Sequence, residues 1–388
     1  MVVYMDDQIL NLYEIWVDHE IPKDVKIISG IGSELFKYTD VKFDYIICSN
    51  FTLEEIERCF TEKLFNKDTK VIFNFLQECA GVFAWYDNNV RPHVEKYNIP
   101  EENFNLLCSI GDVWRDFKDT KVNVYTDLRL NFYLDNHRTF DIFTHYTTIE
   151  GDKKLKSKKF ITKNGRITTW RWVLLLNILH DNLLHDGYVS LLHRKLPNGF
   201  DDVENLRNDV ELHEMSKEWY SYDNDFETNS ETLLKSLPIE FDNALTFDHH
   251  NYADFPKHQL DCYVDFVTET TAYHLDYNTT EKTPKPFFCF NFPIIFAGPL
   301  IQPQYRELGF DFFDDIIDNS YDTIRDPKER FQKCYSEFKK LVTMDIKDLH
   351  KLWLDNYDRF VENNRIASEI CCDEDDILDS IFNFCFST

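Results

Sequence analysis

The N-terminal third of the chain alternates short apolar runs with amphipathic segments. The apolar runs are rich in β-branched and aromatic residues and have the length of strands. They cover residues 25–29, 44–48, 70–75, 104–109 and 121–125. The segment between the second and third runs predicts a helix that begins after Thr52, with Glu55 placed to complete a capping box. Strand, helix and strand at this spacing predict a parallel sheet with helices on its faces.

The apolar positions of this predicted helix recur every three or four residues. A pattern of that kind places them on one face, and we expect that face to be buried. The residues concerned are Leu53, Ile56, Phe60 and Leu64.

A second series of elements begins near residue 155. Residues 158–162 have strand composition, and the turn that follows contains Gly165, which tolerates a positive φ. The apolar sequence after Thr168 predicts a largely buried helix. Residues 200–260 are polar and irregular, so we interpret them as an insertion with at most short helices.

The last part of the chain returns to clear patterns. Residues 263–270 and 292–298 predict buried strands. Asp326 and Pro327 are suited to the N-cap and first position of a long amphipathic helix. A final helix is predicted over residues 346–366. With 388 residues the chain is long enough for two domains, and the element order indicates the α/β class.

The composition indicates a globular protein with a strongly acidic balance. Hydrophobic residues make up 43% of the chain, and the formal net charge is −27. A charge of this sign repels a nucleic-acid backbone unless the basic residues are grouped. From Lys153 to Arg171 there are eight Lys or Arg and no acid. This stretch is interpreted either as a solvated basic loop or as a site for a phosphate or polyanion.

The distribution of cysteine and apolar residues bears on the cellular location. The ten cysteines include no CxxC pair, and no run of 18 apolar residues is long enough to cross a membrane. The first twenty residues carry acids where a signal peptide needs positive charge. We therefore expect reduced thiols, no membrane span and a cytoplasmic location.

The first segment that could carry chemistry is the loop that ends at Arg171. A strand, a tight turn with glycine and a helix N-terminus present backbone N–H groups to a phosphate. Arg166 and Arg171 are suited to bidentate phosphate contacts. The sequence has neither a Walker loop nor a GxGxxG motif. Helix starts with a nearby arginine also occur without any ligand.

The second such segment is "TEKTPKP", residues 280–286. Glu281 can accept hydrogen bonds from the two hydroxyls of a ribose, and Lys282 and Lys285 are point charges suited to a diphosphate. Pro284 and Pro286 stiffen the turn and delay a helix until about Lys285. The alternative is a surface loop in which Glu281 pairs with a neighbouring lysine, a contact worth about 0–1 kcal/mol.

The order of several motifs resembles a family of viral and bacterial glycosyltransferases with a GT-B-like fold. The motifs are "KKFITKNGRITTWRW", "TEKTPKP", the strand "FPIIFAG", "LGF" and "DNSYD", and they span about residues 155–345. The TEK element is also similar to that of fucosyltransferases. The resemblance implies two Rossmann-like domains facing across a cleft. The expected bounds are 1–150 for an acceptor domain, 151–345 for a donor domain and 346–388 for C-terminal helices.

The same resemblance implies a donor site for a nucleotide sugar, with a UDP-sugar favoured. In that site Glu281 holds the ribose and Lys282 the diphosphate, while Lys285 lines the pocket. The complete set of expected donor-binding residues is Asn164, Arg166, Arg171, Glu269, Thr270, Glu281, Lys282 and Lys285. Cations and helix N-termini stabilise the leaving diphosphate in this arrangement, so no metal is required.

The catalytic base is expected among residues that follow strands of the first domain, where Glu78 and Asp127 are favoured. Asp112 and His145 are alternatives. Two further sequences have some character of metal sites. They are "YDND", residues 222–225, and the histidines His249, His250 and His258, and both are interpreted as solvated loops.

The acceptor is a separate question. The preferred prediction is hydroxymethylated cytosine in double-stranded bacteriophage DNA, with the basic stretch Lys153–Arg171 guiding the duplex. A cell-surface or lipid-linked glycan is the alternative acceptor. Two different functions also fit the sequence: an acidic protein that imitates DNA, and a degenerate glycosyltransferase that binds a sugar nucleotide without turnover.

Overall fold

The computed structural model describes residues 1–6, 25–49, 51–75, 82–108, 120–126, 153–165, 167–191, 210–222, 225–237, 239, 255–269, 272, 279, 282–372 and 380. The chain divides into two compact units. The first takes Met1–Arg138, Asp276–Asn278 and Ile370–Thr388, and the second takes Thr139–Leu275 and Thr279–Glu369. The domain bounds and the facing arrangement expected from the sequence stay predictions.

The first unit contains a parallel sheet of six strands within the described residues. The strands are β1 (Val2–Asp6), β2 (Lys26–Gly30), β3 (Tyr45–Cys48), β4 (Lys70–Phe75), β5 (Phe104–Cys108) and β6 (Asn123–Thr126). Their order across the sheet is β2-β1-β3-β4-β5-β6. The helices are α1 (Leu53–Thr61), α2 (Val82–Asn89) and α3 (Arg91–Tyr97), with 3-10 turns at Gly32–Tyr38 and Glu101–Asn103. The predicted parallel sheet is confirmed, and β1 is an additional strand.

Helix α1 shows both a confirmed and a wrong prediction. The capping box is present, since Thr52 Oγ1 accepts from the N–H of Glu55 and the Glu55 carboxylate accepts from the N–H of Thr52. Leu53, expected on the buried face, is 56% exposed because it occupies the first helical position, ahead of the turns that pack on the sheet. The helix ends at Thr61, and Leu64 is buried from the turn that follows.

The second unit contains a smaller parallel sheet. Its described strands are β7 (Lys158–Asn164), β8 (Gly187–Leu191), β9 (Cys262–Thr268) and β10 (Phe292–Phe296), in the order β10-β9-β7-β8. After β7 the chain moves outward to β8 and then returns to the other side for β9 and β10. The strand order therefore reverses between β7 and β9. In open α/β sheets a reversal of this kind leaves a crevice at the carboxyl ends of the two strands.

All seven residues of β9 are buried, so both faces of the second sheet are covered where this strand lies. The helices of this unit pack around the sheet. They are α4 (Thr169–His180), α5 (Val210–Trp219), α6 (Phe226–Ser236), α7 (Phe255–Leu260), α8 (Lys285–Phe288), α9 (Ile301–Glu307), α10 (Pro327–Val342), α11 (Ile346–Asp355) and α12 (Tyr357–Cys372), with 3-10 turns at Leu184–Asp186 and Asn319–Thr323. Asp326 caps α10 by accepting from the N–H of Glu329, and Pro327 stands at its first position, as predicted. Phe338 of α10 packs edge-on against Phe160 and Phe266 of the sheet.

One expectation for this unit is wrong, and another stays a prediction. Within the polar segment 200–260, interpreted as an insertion with at most short helices, α5 and α6 place Trp219 and Phe226 in the core with 3% and 1% exposure. The single helix predicted over residues 346–366 is two helices, α11 and α12. Asn356 ends α11, with its backbone N–H bonded to the carbonyl of Trp353 and its side chain to that of Leu352.

Candidate functional site

The candidate site lies at the carboxyl ends of β7 and β9, where the order of the second sheet reverses. Asn164 is the last residue of β7, and Thr268 is the last residue of β9. The Thr268 hydroxyl donates to Asn164 Oδ1 at 2.7 Å, across the gap between the two strands. Asn164 Nδ2 donates in turn to the carbonyl of Ser190 in β8 at 3.2 Å. One buried amide therefore aligns the ends of three strands.

Helix α4 is fastened to the same point through its first turn. Arg171 is 2% exposed and donates to the Thr268 hydroxyl (3.1 Å) and to the Thr268 carbonyl (2.9 Å). Trp170 Nε1 donates to the carbonyl of Glu269 at 3.0 Å. The described contacts of Arg171 thus position the end of β9. Its expected contact with a diphosphate stays a prediction, as does that of Asn164.

The segment that contains Lys282 is attached to the same strand end. Thr283 and Glu269 are both fully buried, and the Thr283 hydroxyl donates to Glu269 Oε1 at 2.5 Å. Glu269 directly follows Thr268. Thr268 contacts Asn164 and Arg171, and Glu269 contacts Thr283, so these two consecutive residues join the segment of Asn164 and Arg171 to the segment of Lys282. The two cationic segments, more than 100 residues apart in sequence, meet at the end of β9.

Helix α8 holds this second segment in place. Pro284 is its N-cap residue, and the helix begins at Lys285, as the sequence predicted. Phe287 lies against the rings of Phe310 (4.4 Å between centroids), Phe312 and Tyr305. The charged turn therefore stands on a buried aromatic layer, which limits its movement.

A buried carboxyl group lies in β9, three residues before the end of the strand. Asp265, in the middle of β9, is 4% exposed and accepts from Gln259 Nε2 of α7 at 2.7 Å. The oxygen of the same side-chain amide, Gln259 Oε1, accepts from Lys163 Nζ at 3.0 Å. Burial raises the pKa of the Asp265 carboxyl to about 6, although the Gln259 hydrogen bond and the positive charges of Lys163 and Lys285 act in the opposite direction. Lys163 from the first segment and Lys285 from the second therefore both act on one carboxyl group.

Arg330 of α10 organises the loops around the site. It is 1% exposed and donates to four carbonyls: those of Ala297 (3.0 Å), Ala272 (2.6 Å), Ile324 (2.6 Å) and Arg325 (3.2 Å). Ala272 belongs to the connection after β9, and Ala297 directly follows β10. Burial lowers the pKa of the Arg330 guanidinium to about 10, so it stays charged at neutral pH. Nothing in the sequence marks Arg330 for this role, because its partners are all backbone carbonyls and two of them, in Ala297 and Ala272, are distant along the chain.

The acidic element "DNSYD", residues 318–322, performs local structural tasks. Asp322 accepts from the N–H groups of Ile301 and Gln302 at the start of α9. The Tyr321 hydroxyl accepts from Gln302 Nε2 at 2.9 Å and from the N–H of Ile295 in β10 at 3.3 Å. This part of the motif therefore fastens α9 to the sheet and needs no ligand to explain it.

The basic stretch Lys153–Arg171 does not form one surface. Lys158 and Lys159, at the start of β7, bond to the carbonyl of His185 and the carboxylate of Asp186. Lys163 lies five residues further along the strand, roughly 16 Å away at 3.3 Å per residue. Lys156 is 5% exposed. The stretch is thus spread over opposite ends of the sheet, which gives no support to its expected role as a guide for DNA.

Several expected residues lie outside the described part of the chain. They are Glu78, Asp112, Asp127, His145, Arg166, Asp223, Asn224, His249, His250, Thr270 and Glu281. Among the residues that the structure describes, no group of three or more His, Cys, Asp or Glu side chains is arranged to hold a metal ion. Of the alternative metal sequences, Asp225 pairs with His180 Nδ1 at 3.3 Å.

Comparison with known proteins adds one likeness. No protein-family model matches the chain, and no curated protein matches it. A solved structure of a glycosyltransferase from Rickettsia africae ESF-5 is similar over 98% of each chain, with 11% sequence identity and a TM-score of 0.37. A score this low carries no argument about activity. Within the described ranges, none of the helices has the length and apolar character needed to cross a membrane.

Proposed function

We propose that this protein is a glycosyltransferase that takes a sugar from a nucleotide-sugar donor and transfers it to an acceptor hydroxyl. The observation that carries the proposal is the meeting of two cationic segments at the topological switch point of the second sheet. Crevices at such points are where open α/β sheets bind nucleotides. The sequence resemblance supplies the reaction class, and the geometry supports the donor site that the resemblance implies.

In this proposal Lys282 and Lys285 hold the diphosphate of the donor. Lys282 is half-buried beside the anchored Thr283, and Lys285 begins α8, so both have restricted backbones. Glu281 holds the ribose hydroxyls. Asn164, Arg171 and Glu269 keep the strand ends in register, and a fixed framework lowers the entropy cost of binding. A UDP-sugar is the first donor to test.

A thermal-shift screen with UDP-, GDP-, ADP- and CDP-sugars tests the donor site. Binding to the native state stabilises it by RT ln(1 + [L]/Kd), so a ligand at about 100 times its Kd adds about 2.7 kcal/mol. We expect one nucleotide to raise the melting temperature of the wild type. Lys282→Ala and Lys285→Ala should lose most of that increase while keeping their circular dichroism spectra.

Lys347→Ala is the matched control, because Lys347 is an exposed lysine of α11 in the same unit. It should respond to the nucleotide sugar as the wild type does. A chain that no nucleotide sugar stabilises, or a shift that survives both lysine substitutions at the site, contradicts the proposal.

The acceptor is proposed from the sequence alone. Hydroxymethylated cytosine in DNA is the first candidate and a glycan hydroxyl the second. Mass spectrometry of each acceptor after incubation with the stabilising donor distinguishes them by the added mass of one sugar.

A further inference from the structure

Asp265 is an unusual residue for its position. It lies in a strand whose seven residues are all buried. A carboxylate in such surroundings is costly unless hydrogen bonds and opposite charges compensate for lost hydration. Fold stability alone does not require a carboxyl group here, since an apolar residue would fill the strand as well.

The groups that face Asp265 come from four elements. In β7 the nearest register partner is Ile161, and Lys163 follows on the same face; β10 contributes Pro293 in register and no charge. Helix α7 contributes the uncharged amide of Gln259, and α8 contributes Lys285. The thiols of Cys262 and Cys289 are also nearby, and burial together with the Asp265 charge raises the pKa of both, so they are neutral at pH 7. Among the described residues, Lys163 and Lys285 are therefore the positive charges that favour the ionised form of Asp265.

A bound anion changes this balance. This step rests on the proposed function, in which Lys282 and Lys285 hold a diphosphate. The diphosphate then partly neutralises the Lys285 charge, which stabilises the Asp265 carboxylate in the free protein. It also adds negative charge near a carboxylate that has little hydration. Both effects disfavour the ionised form of Asp265.

We propose that Asp265 is a proton acceptor coupled to donor binding: when a nucleoside diphosphate sugar binds, the Asp265 carboxylate takes up one proton from the solvent. The carboxyl group stays hydrogen-bonded to Gln259 in both states. The proton leaves again when the diphosphate dissociates. Donor affinity is therefore linked to pH through a residue buried under the site.

The sign of the linkage follows from the free state. The Asp265 pKa is about 6 in the free protein and higher in the complex. Well below pH 6 the group is protonated in both states, and affinity is greatest. As pH rises from 6 towards the pKa in the complex, affinity falls by at most about tenfold per pH unit, because one proton is exchanged.

Isothermal titration calorimetry measures this proton directly. The ligand is a nucleotide sugar, whose diphosphate diester does not itself titrate near pH 6. Binding at pH 7 in two buffers of very different ionisation enthalpy, PIPES and imidazole, gives the number of protons exchanged. We expect an uptake of about 0.5–1 proton for the wild type. Asp265→Asn should take up none and should bind with the same affinity from pH 6 to pH 8.

Asp355→Asn, at an exposed carboxyl of α11, is the control and should behave as the wild type. If Asp265→Asn does not fold, infrared difference spectra of the wild type with and without the nucleotide sugar still test the proton uptake. Protonation of Asp265 creates a carboxylic-acid C=O band when the donor is added. Binding of the nucleotide sugar without proton uptake overturns this inference and leaves the proposed function standing. The absence of binding at every pH overturns both.

Discussion

The contact between Thr283 and Glu269 joins the two segments of the candidate site, and Thr283→Val removes it with little change of shape. Both residues are fully buried, so water cannot replace the lost donor. An unsatisfied buried acceptor costs about 1–3 kcal/mol. We therefore expect the free energy of unfolding of the second unit to fall by about 2 kcal/mol. The affinity for the nucleotide sugar should fall as well, because the turn that carries Lys282 loses its anchor.

Urea denaturation followed by circular dichroism measures the stability change, and titration with the donor measures the affinity. Thr283→Ser keeps the hydroxyl and should retain most of both. Thr323→Val is a control from the same unit: its hydroxyl donates to the carbonyl of Ser320 at 2.9 Å on the surface, where water can replace it. If the free energy of unfolding of Thr283→Val lies within about 0.5 kcal/mol of the wild-type value, as is usual for surface substitutions, the two segments are not joined through this contact.

Two further predictions concern buried cations. Arg330→Met leaves four carbonyls without their donor and should destabilise the second unit by about 3–5 kcal/mol, measured by urea denaturation. Arg330→Lys should recover only part of this stability, because an ammonium group lacks the planar fork of donors with which the guanidinium reaches four acceptors. Burial lowers the pKa of Lys156 to about 8, below its usual 10.5. Below pH 8 the buried side chain is charged, which lowers the free energy of unfolding, and this destabilisation disappears as the pH rises from 8 to 10.5. The wild type should thus gain roughly 3 kcal/mol relative to Lys156→Met between pH 8 and pH 10.5, and equal pH profiles for the two proteins would contradict the assignment.

Elements with local signals could be predicted from the sequence. Thr52 and Glu55 define the start of α1, and Asp326 with Pro327 defines the start of α10, because capping depends on residues within one turn. The elements whose positions were not predicted depend on tertiary packing. Residues 210–236 carry many charges, but each of the two helices in this range has a buried aromatic side chain, Trp219 in α5 and Phe226 in α6. Which face of each helix is buried depends on the parts of the core that the helix packs against.

The candidate site could be predicted only as separate pieces. Asn164, Arg171, Glu269 and Lys282 were all expected, yet the contacts that bring them together involve the hydroxyls of Thr268 and Thr283. Asn164 and Thr268 are 104 residues apart. A threonine in the sequence gives no sign of which distant group its hydroxyl will contact. Asp265 did leave a signal, since a lone acid within the apolar run "YVDFVT" marks a buried polar group that needs an explanation.

The motifs behind the glycosyltransferase resemblance separate into two kinds. Tyr321 and Asp322 cap and fasten α9, so fold stability alone accounts for them. The cluster of Lys163, Asp265 and Lys285 is different, because Asp265 is buried, and a buried charge with its partners can often be exchanged for apolar residues with no loss of stability or with a gain of about 1–4 kcal/mol. A chain selected only for folding has no reason to keep this cluster at a strand-order reversal. Anion binding is the use that the proposed function gives to this cluster, since Lys163 and Lys285 belong to the two cationic segments whose meeting carries that proposal.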